Sequence, residues 1–588
     1  MIEEQSRGRA ADMPKHFDKC VLTRLARKCS SPLRKSAAYP PTSDEVQVNC
    51  VAHIDSSPIR RAQPDLGFVL DAPSLSAPSA SSYLKRLSTF SVLVSVALGA
   101  AQGELAAADS APTTPIRHLV VIYDENVSFD HYFGTYPHAA NGPGETPFHA
   151  VPGTPTVNGL SGVLLSHNPN GINPFRLGRA DAVTCDMDHA YSAEQKAYSG
   201  GLAARFVQAT TEYAKAQQNC TAQLVMGYYD GNTVAALWRY AQRFALNDNN
   251  FATMFGPSTP GALDLFAAQT SGADQRDLPN ETIDGDVIDD AEPLFDDCAK
   301  APTITISNTR TIGDLLNEHG LSWGWFQGGY RPTKSASDNG GKALCGASSK
   351  NAAGANNTDY SSHHNPVAYF SQFKNPHHLP PTSIDAIGRS DQAMHQYDLD
   401  DFWRAVDHGS TPAVSFLKAR QSQDGHPGYS DPLDEQRFLV ETVNRLQRSP
   451  QWKHTAIIIT YDDSDGWYDH VMPPIVHSSR SDYDFLTADK NCGDVASGVQ
   501  PGRCGYGPRM PFLLISPYAR RNFVDHTLID QTSIARFIED NWGLPRIGGD
   551  AMEQWAGSFG AMFDFNAPAR GDRLILDPET GAITHANR

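Results

Sequence analysis

Two apolar runs in this chain end in the same kind of polar residue. Val120-Val121-Ile122-Tyr123 leads into Asp124-Glu125-Asn126, and Ile457-Ile458-Ile459-Thr460-Tyr461 leads into Asp462-Asp463. Adjacent carboxylates repel unless a positive charge lies between them. Glu125, Asn126, Asp462 and Asp463 are hard oxygen donors, the kind a divalent cation takes. A single acidic strand end reads as a turn former or helix cap; two matching ends weigh that reading and a cation site about equally. Ser258 stands in Phe255-Gly256-Pro257-Ser258-Thr259-Pro260-Gly261, ahead of the helical Ala262-Leu263-Asp264-Leu265-Phe266. A hydroxyl at the start of a proline-initiated helix lies in the field of unpaired N–H groups, where phosphate binds. Taken alone Ser258 reads as an N-cap, and beside a metal it becomes an activated nucleophile. Three histidines sit in polar, turn-rich stretches: His189 after Cys185-Asp186-Met187-Asp188, His364 in His363-His364-Asn365-Pro366, and His426 in Asp424-Gly425-His426-Pro427-Gly428. Imidazolium groups there would hold phosphoryl oxygens or protonate a leaving alkoxide. Asp469-His470 reads as shaping the site and is not counted as catalytic.

These groups need a rigid frame. The runs His118–Tyr123, Ala413–Leu417, Ala456–Tyr461 and Phe512–Ile515 are apolar without alternation, as expected for strands covered on both faces. Helical patterns cover Asp230–Phe244, Pro260–Gln269, Pro432–Leu446 and Thr532–Trp542. The expected fold is therefore α/β, a large central sheet flanked by helices. Ligands of open α/β sheets bind at the carboxyl ends of the strands, where both acidic pairs lie. Long polar insertions at 137–182, 271–302 and 331–362 read as rims and lids of the site.

Composition narrows the function. The chain has 588 residues, of which 40% are hydrophobic and 19% charged, too much core material for a disordered protein. Of its 66 acids and 48 bases, 9 acids and 13 bases fall in residues 1–100, so the remainder carries 57 against 35, a net −22. Such a body repels phosphate backbones, and nucleic acid is excluded as a partner. Lys85-Arg86, the apolar Leu87–Leu98 and the small residues that follow have the pattern of a secretory signal peptide, assigned to 83–103. The apolar core is too short to span a membrane. Residues 1–82 read as an unusual extension or a misplaced start, expected to be disordered, and 104–588 as a single catalytic domain. Six cysteines fall in that domain: Cys185, Cys220, Cys298, Cys345, Cys492 and Cys504. An even count in an exported, periplasmic or extracellular protein implies disulfides, and Cys492 with Cys504 is the easiest pair to accept.

Taken in order, Asp124-Glu125-Asn126-x-Ser128-Phe129-Asp130-His131-Tyr132-Phe133-Gly134, Gly256–Gly261, His363–Pro366, Asp424–Ser430 and Tyr461–Asp463 resemble the motifs of the bacterial phosphoesterase family. That family comprises the phospholipases C and the acid phosphatases of the acid phosphatase A type, and the motifs span about residues 115–545. The resemblance implies an alkaline-phosphatase-like core and a divalent metal of unspecified identity. It implies Glu125, Asn126, Asp462, Asp463 and Ser258 as metal ligands, Ser258 as the nucleophile, and His189, His364 and His426 around the phosphoryl group. Ser258 in Gly-Pro-Ser-Thr-Pro-Gly, and the lack of a twin-arginine signal, favour an acid phosphatase that acts through a phosphoserine on small phosphorylated substrates. The alternative is a phospholipase C acting on phospholipid head groups. A second alternative is a secreted protein that binds phosphate or metal without turnover.

Overall fold

Seven strands running one way and one running against them make the sheet on which the site is built. The computed structural model describes residues 111–212, 217, 220–493, 500 and 502–586. All belong to one compact unit, Val96–Arg588. The leader and signal-peptide expectations lie outside the described residues. The strands are β1 (His118–Asp124), β2 (Ala245–Asn247), β3 (Trp323–Gln327), β4 (Gln396–Asp398), β5 (Val414–Lys418), β6 (Thr455–Tyr461), β7 (Phe512–Ile515) and β8 (Phe523–Asp525). Their order across the sheet is β4-β3-β5-β1-β6-β7-β2-β8, with β7 antiparallel to both neighbours and every other pairing parallel.

The central strands β1, β5 and β6 are buried along their length on both faces, apart from His118 at the start of β1. This is why they read as unbroken apolar runs. Helices α1 (Ala235–Arg243), α2 (Ser258–Ala267), α3 (Pro432–Arg448) and α4 (Ser533–Trp542) match the four helical patterns to within a few residues. Helix α3 begins with Asp431, whose side chain accepts from Leu433 N and Asp434 N, and with proline at the first helical position. The sequence reading missed β2, β3, β4 and β8. Three of these have only three residues, too few to carry a periodicity, and β3 (Trp-Gly-Trp-Phe-Gln) is interrupted by glycine. Among the described residues no helix is long and apolar enough to cross a membrane.

The sheet register sets the site. In the β1–β6 pair Asp124 lies opposite Tyr461, so Glu125-Asn126 and Asp462-Asp463 leave the sheet side by side. The exits are tied together: Asp462 N donates to Asp124 O at 3.2 Å and Val127 N to Asp463 O at 3.1 Å. On the other side of β1, Ile122 lies opposite Leu417, which brings Lys418 to the same edge. Disulfides join Cys185–Cys220, Cys298–Cys345 and Cys492–Cys504, the last as expected.

Candidate active site

Ser258 is the first residue of α2, behind Pro257, and makes no capping hydrogen bond. Its Oγ instead lies 3.2 Å from Glu125 Oε2 and 3.1 Å from Asp463 Oδ2. The helix gets this close because residue 261 is glycine; a Cβ there would stand 2.2 Å from the Asp462 carbonyl oxygen and 2.8 Å from Gln531 Nε2. Gly256 before it takes φ +128, a conformation that suits glycine. Glu194, buried and absent from the sequence reading, fixes the loop on the other side: it accepts from Gly256 N at 3.0 Å and from Ser464 Oγ at 2.6 Å.

Each acid of the second pair divides its two oxygens between the two uses that sequence left open. Asp462 Oδ1 accepts from Asp463 N, and Asp463 Oδ1 from Asp465 N, as turn formers do. The other oxygens face inward, Asp463 Oδ2 to Ser258 and Asp462 Oδ2 to Lys418 Nζ at 2.8 Å. Lys418 also contacts Glu125 Oε1. This fully buried ammonium was not expected, although it obeys the same rule, being the last residue of the third central strand. Among the described donors, Glu125 groups with His364 and Asp424, and Asp186 with His189, His426 and Asp465, each set within 4.8 Å. Asp462 and Asp463 are drawn in instead by Lys418 and Ser258.

Two observations bear on whether these residues suit a divalent cation. Asn126 is wholly buried, yet neither atom of its amide has a hydrogen-bond partner, a cost that a coordinated cation would remove. Glu125, Asp462 and Asp463 carry three negative charges when ionised against one on Lys418, and the excess of two is what a divalent ion balances. With protein groups alone, burial pushes the Asp463 carboxyl up to about 7 against the pull of His189. Burial and the neighbouring Glu125 likewise hold Asp462 well above the usual carboxylate range. The residues fit.

Ser258 opens onto a cavity of about 200 Å³ lined by His189, His363, His426, Tyr429, Asp289 and Asp290, among others. The three predicted histidines do not share one environment. His189 Nδ1 faces the Met187 carbonyl at 2.8 Å, with Asp465 at 3.5 Å and Asp186 at 3.7 Å. Burial alone would lower its pKa, but Asp463, Asp465, Asp186 and Asp290 outweigh burial and hold it well above the ordinary value. His426 Nδ1 is 2.6 Å from the Pro427 carbonyl and its ring stacks on Tyr429; burial pushes its pKa down. His364 stands behind Glu125, its Nδ1 3.1 Å from Oε1, and burial with His363 and Lys418 nearby pushes it down as well. The cavity-lining member of that pair is His363, to which the sequence motif alone gives no role. Burial opposes its charge, but Asp290 and Glu292 raise its pKa to about 9.

The remaining expectations divide. The insertion 271–302 does form a rim, through Asp289 and Asp290; Asp290 accepts from Thr259 N at 2.9 Å. No residue of 137–182 or 331–362 lines the cavity itself, but 331–362 backs its rim, Asn351 and Asn357 donating to the carbonyl of the lining Tyr429 and Thr358 to Gln421 Oε1. Part of 137–182 packs on the buried Arg509, which donates to Asn158 O. His470 is likewise structural: its Nδ1 is 2.6 Å from Asp130 Oδ2, and Arg509, fully buried, pairs with Asp130 and Asp469.

The family model described as the Phosphoesterase family matches residues 116–545, most of the chain and all of these motifs. The chain belongs to that family. Its class is that of hydrolases acting on phosphoric ester bonds. It is 25% identical over 442 residues to the non-hemolytic phospholipase C of Pseudomonas aeruginosa, covering 73% of this chain and 54% of that one, about half the relative's length. It is 26% identical over 481 residues to phospholipase C B of Mycobacterium tuberculosis, covering 80% and 82%. Among solved structures, a mutant of the alkaline phosphatase PafA aligns at TM-score 0.29 and 9% identity, over 65% of this chain and 98% of that one. The assignment rests on the sequence match and not on this likeness.

Proposed function

We propose that this protein is an exported, divalent-metal-dependent phosphodiesterase of the phospholipase C type that works through a phosphoserine. The observation that carries the reading is Ser258 Oγ, within 3.2 Å of Glu125 and Asp463, at the mouth of a cavity lined by three histidines. The order of preference reverses that of the sequence reading. The phospholipase C names of the relatives support a diesterase, while the Gly-Pro-Ser-Thr-Pro-Gly context of Ser258 remains the support for an acid phosphatase as second reading. A protein that binds without turnover is the least supported, since hydroxyl, carboxylates and histidines are all present together.

In this reading Glu125, Asn126, Asp462, Asp463 and Ser258 hold the cation, which supplies a lowered hydroxyl pKa and a polarised phosphoryl group. Ser258 attacks phosphorus in line, forming the Oγ–P bond while the bond to the leaving alcohol breaks. His189 and His363, held as imidazolium, pair with the non-bridging oxygens as charge develops. His426 keeps Nδ1–H on the Pro427 carbonyl, which leaves Nε2 unprotonated and able to take the serine proton and return it to the leaving alkoxide. His364, whose Nδ1 stands 3.1 Å from Glu125 Oε1, backs this ligand from outside the cavity. Water then attacks the phosphoserine by the reverse arrangement. The three disulfides and the basic-then-apolar stretch at 85–98 support export.

The test is parallel hydrolysis of p-nitrophenyl phosphorylcholine and p-nitrophenyl phosphate, with elemental analysis of the pure protein. The diester should be cut faster, with one divalent ion per chain. Turnover of the monoester alone would return the acid phosphatase to first place, and full activity after exhaustive chelation would remove the metal from the mechanism.

A further inference from the structure

Three residues that line the catalytic cavity, Gln421, His426 and Tyr429, lie on the segment between β5 and α3. Its middle is a tight loop. Ser430 N donates to His426 O at 2.8 Å and Gly425 N to Ser430 Oγ at 3.1 Å. At the start of the loop Glu125 N donates to Asp424 O at 3.0 Å, and at its end Asp431 caps α3. These bonds fix the shape of the loop and its two ends. The tilt of its middle depends on what meets it from outside.

What meets it is a hairpin of the insertion 331–362, Ser348–Lys350 paired antiparallel with Asn356–Thr358. Asn351 Nδ2 at 3.0 Å and Asn357 Nδ2 at 2.8 Å both donate to the Tyr429 carbonyl. The other amide atom of Asn351 holds the hairpin turn, Oδ1 accepting from Ala355 N at 2.8 Å. Three further bonds seat the insertion on the same segment and on the start of α3: Thr358 Oγ1 to Gln421 Oε1 at 2.7 Å, Gln421 N to Asp359 O at 3.0 Å and Ala352 N to Asp434 Oδ2 at 2.5 Å. The Tyr429 ring in turn stacks on His426, with centroids 4.3 Å apart and planes inclined by 19°. A chain of contacts thus runs from two amides outside the cavity, through one carbonyl and one ring, to the imidazole inside it.

We propose that Asn351 and Asn357 are positioning residues for His426, holding its imidazole through Tyr429 at the angle that proton transfer needs. The inference rests on the reading of His426 as the group that takes the serine proton and returns it to the leaving alkoxide. Proton transfer is steep in distance and direction, and a displacement of about 1 Å costs up to about a hundredfold. Loosening the loop therefore lowers kcat. His189 and His363, which meet the phosphoryl oxygens in that reading, are not on the loop, so KM should not move.

The test compares two substrates that give the same phosphoserine and differ in what leaves. Dihexanoyl phosphatidylcholine releases an alkoxide that must be protonated, whereas p-nitrophenyl phosphorylcholine releases a phenolate that leaves as the anion. Asn357→Ala should lower kcat on the lipid by about tenfold or more and on the p-nitrophenyl ester several-fold less, with KM unchanged on both. Asn357→Asp keeps the shape and removes the donor, so it should lose as much. Asn351→Ala/Asn357→Ala should lose more, and the single Asn357 variants carry the test if the double variant does not fold. Glycerol phosphate and p-nitrophenyl phosphate make the same comparison if the enzyme cuts only monoesters. His426→Ala separates the two ways of failing. If it loses activity while the Asn357 variants keep theirs, or lose it equally on both substrates, the proposal falls and the reading of His426 stands. If His426→Ala keeps the wild-type kcat on the lipid, both fall.

Discussion

Replacing Lys418 by methionine tests the charge balance of the site more directly than removing a ligand. Lys418 Nζ lies 2.8 Å from Asp462 Oδ2 and touches Glu125, and all three side chains are buried. At an effective dielectric constant of about 20 the 2.8 Å pair alone is worth about 6 kcal/mol of Coulomb energy. Desolvation of the three groups offsets much of it, and breaking a buried pair by removing one partner costs about 3–5 kcal/mol net. Methionine fills the volume of the lysine stem, so the loss reflects charge and not a cavity. In the variant the uncompensated charge rises from two to three, so a divalent ion should bind it more tightly than it binds wild type. Since an ion at a hundred times its Kd adds about 2.7 kcal/mol, the stability gap should narrow when metal is added. The assay is equilibrium urea unfolding of both proteins in chelator and in excess divalent ion, following the denaturation midpoint. A gap below about 1 kcal/mol in chelator would mean that Lys418 is not paired as described. A gap of the same size with and without the ion would mean that no cation shares those carboxylates, and the charge argument would fall.

Ser258→Ala should reduce kcat by about a thousandfold or more while the unfolding free energy changes by no more than about 1.5–3 kcal/mol, the value of hydrogen bonds to charged partners; retention of a tenth of the activity would point to water as nucleophile. The pH profile of kcat/KM should keep its plateau through neutrality and fall on the alkaline side near 9, because His363 is raised from 6.5 to about 9 by Asp290 and Glu292. His363→Asn should lower the plateau and remove that limb, whereas a wild-type limb near 6.5 would mean His363 is not held as a cation. By linkage the same group stabilises the fold fully below pH 6.5, and that contribution is lost as pH rises from there through about 9. Removing the Cys298–Cys345 bridge, 47 residues apart, should cost about 4 kcal/mol, and removing Cys492–Cys504, 12 apart, about 3 kcal/mol, from the entropy of the loops they close. Denaturation of the two serine double variants orders them; a larger loss for the shorter loop would contradict the entropic account.

What the sequence by itself determined is everything that depends on local pattern. The three central strands were legible because both of their faces are buried and apolar residues fill most of their positions. The carboxyl-end acids were legible because a charged residue interrupts such a run only where it leaves the sheet. Ser258 was legible from the proline and glycines that a tight helix entry needs, and the family from the order of the motifs. Tertiary structure alone decided which neighbour each of these groups meets. His363 and His364 are adjacent and identical in type, and only the packing of Asp290 and Glu292 on one, and burial with His363 and Lys418 nearby on the other, makes one a cation in the cavity and the other a neutral ring behind Glu125. Lys418 ends a strand that sequence places correctly, but nothing local says that its ammonium spans acids from two other strands, 44 residues from one and almost 300 from the other. The fate of the polar insertions was equally hidden, since a loop lines the cavity or packs on a buried arginine according to the register of a sheet it does not belong to. Charge acts through space at a range of several ångströms, and the chain supplies that proximity only after it has folded.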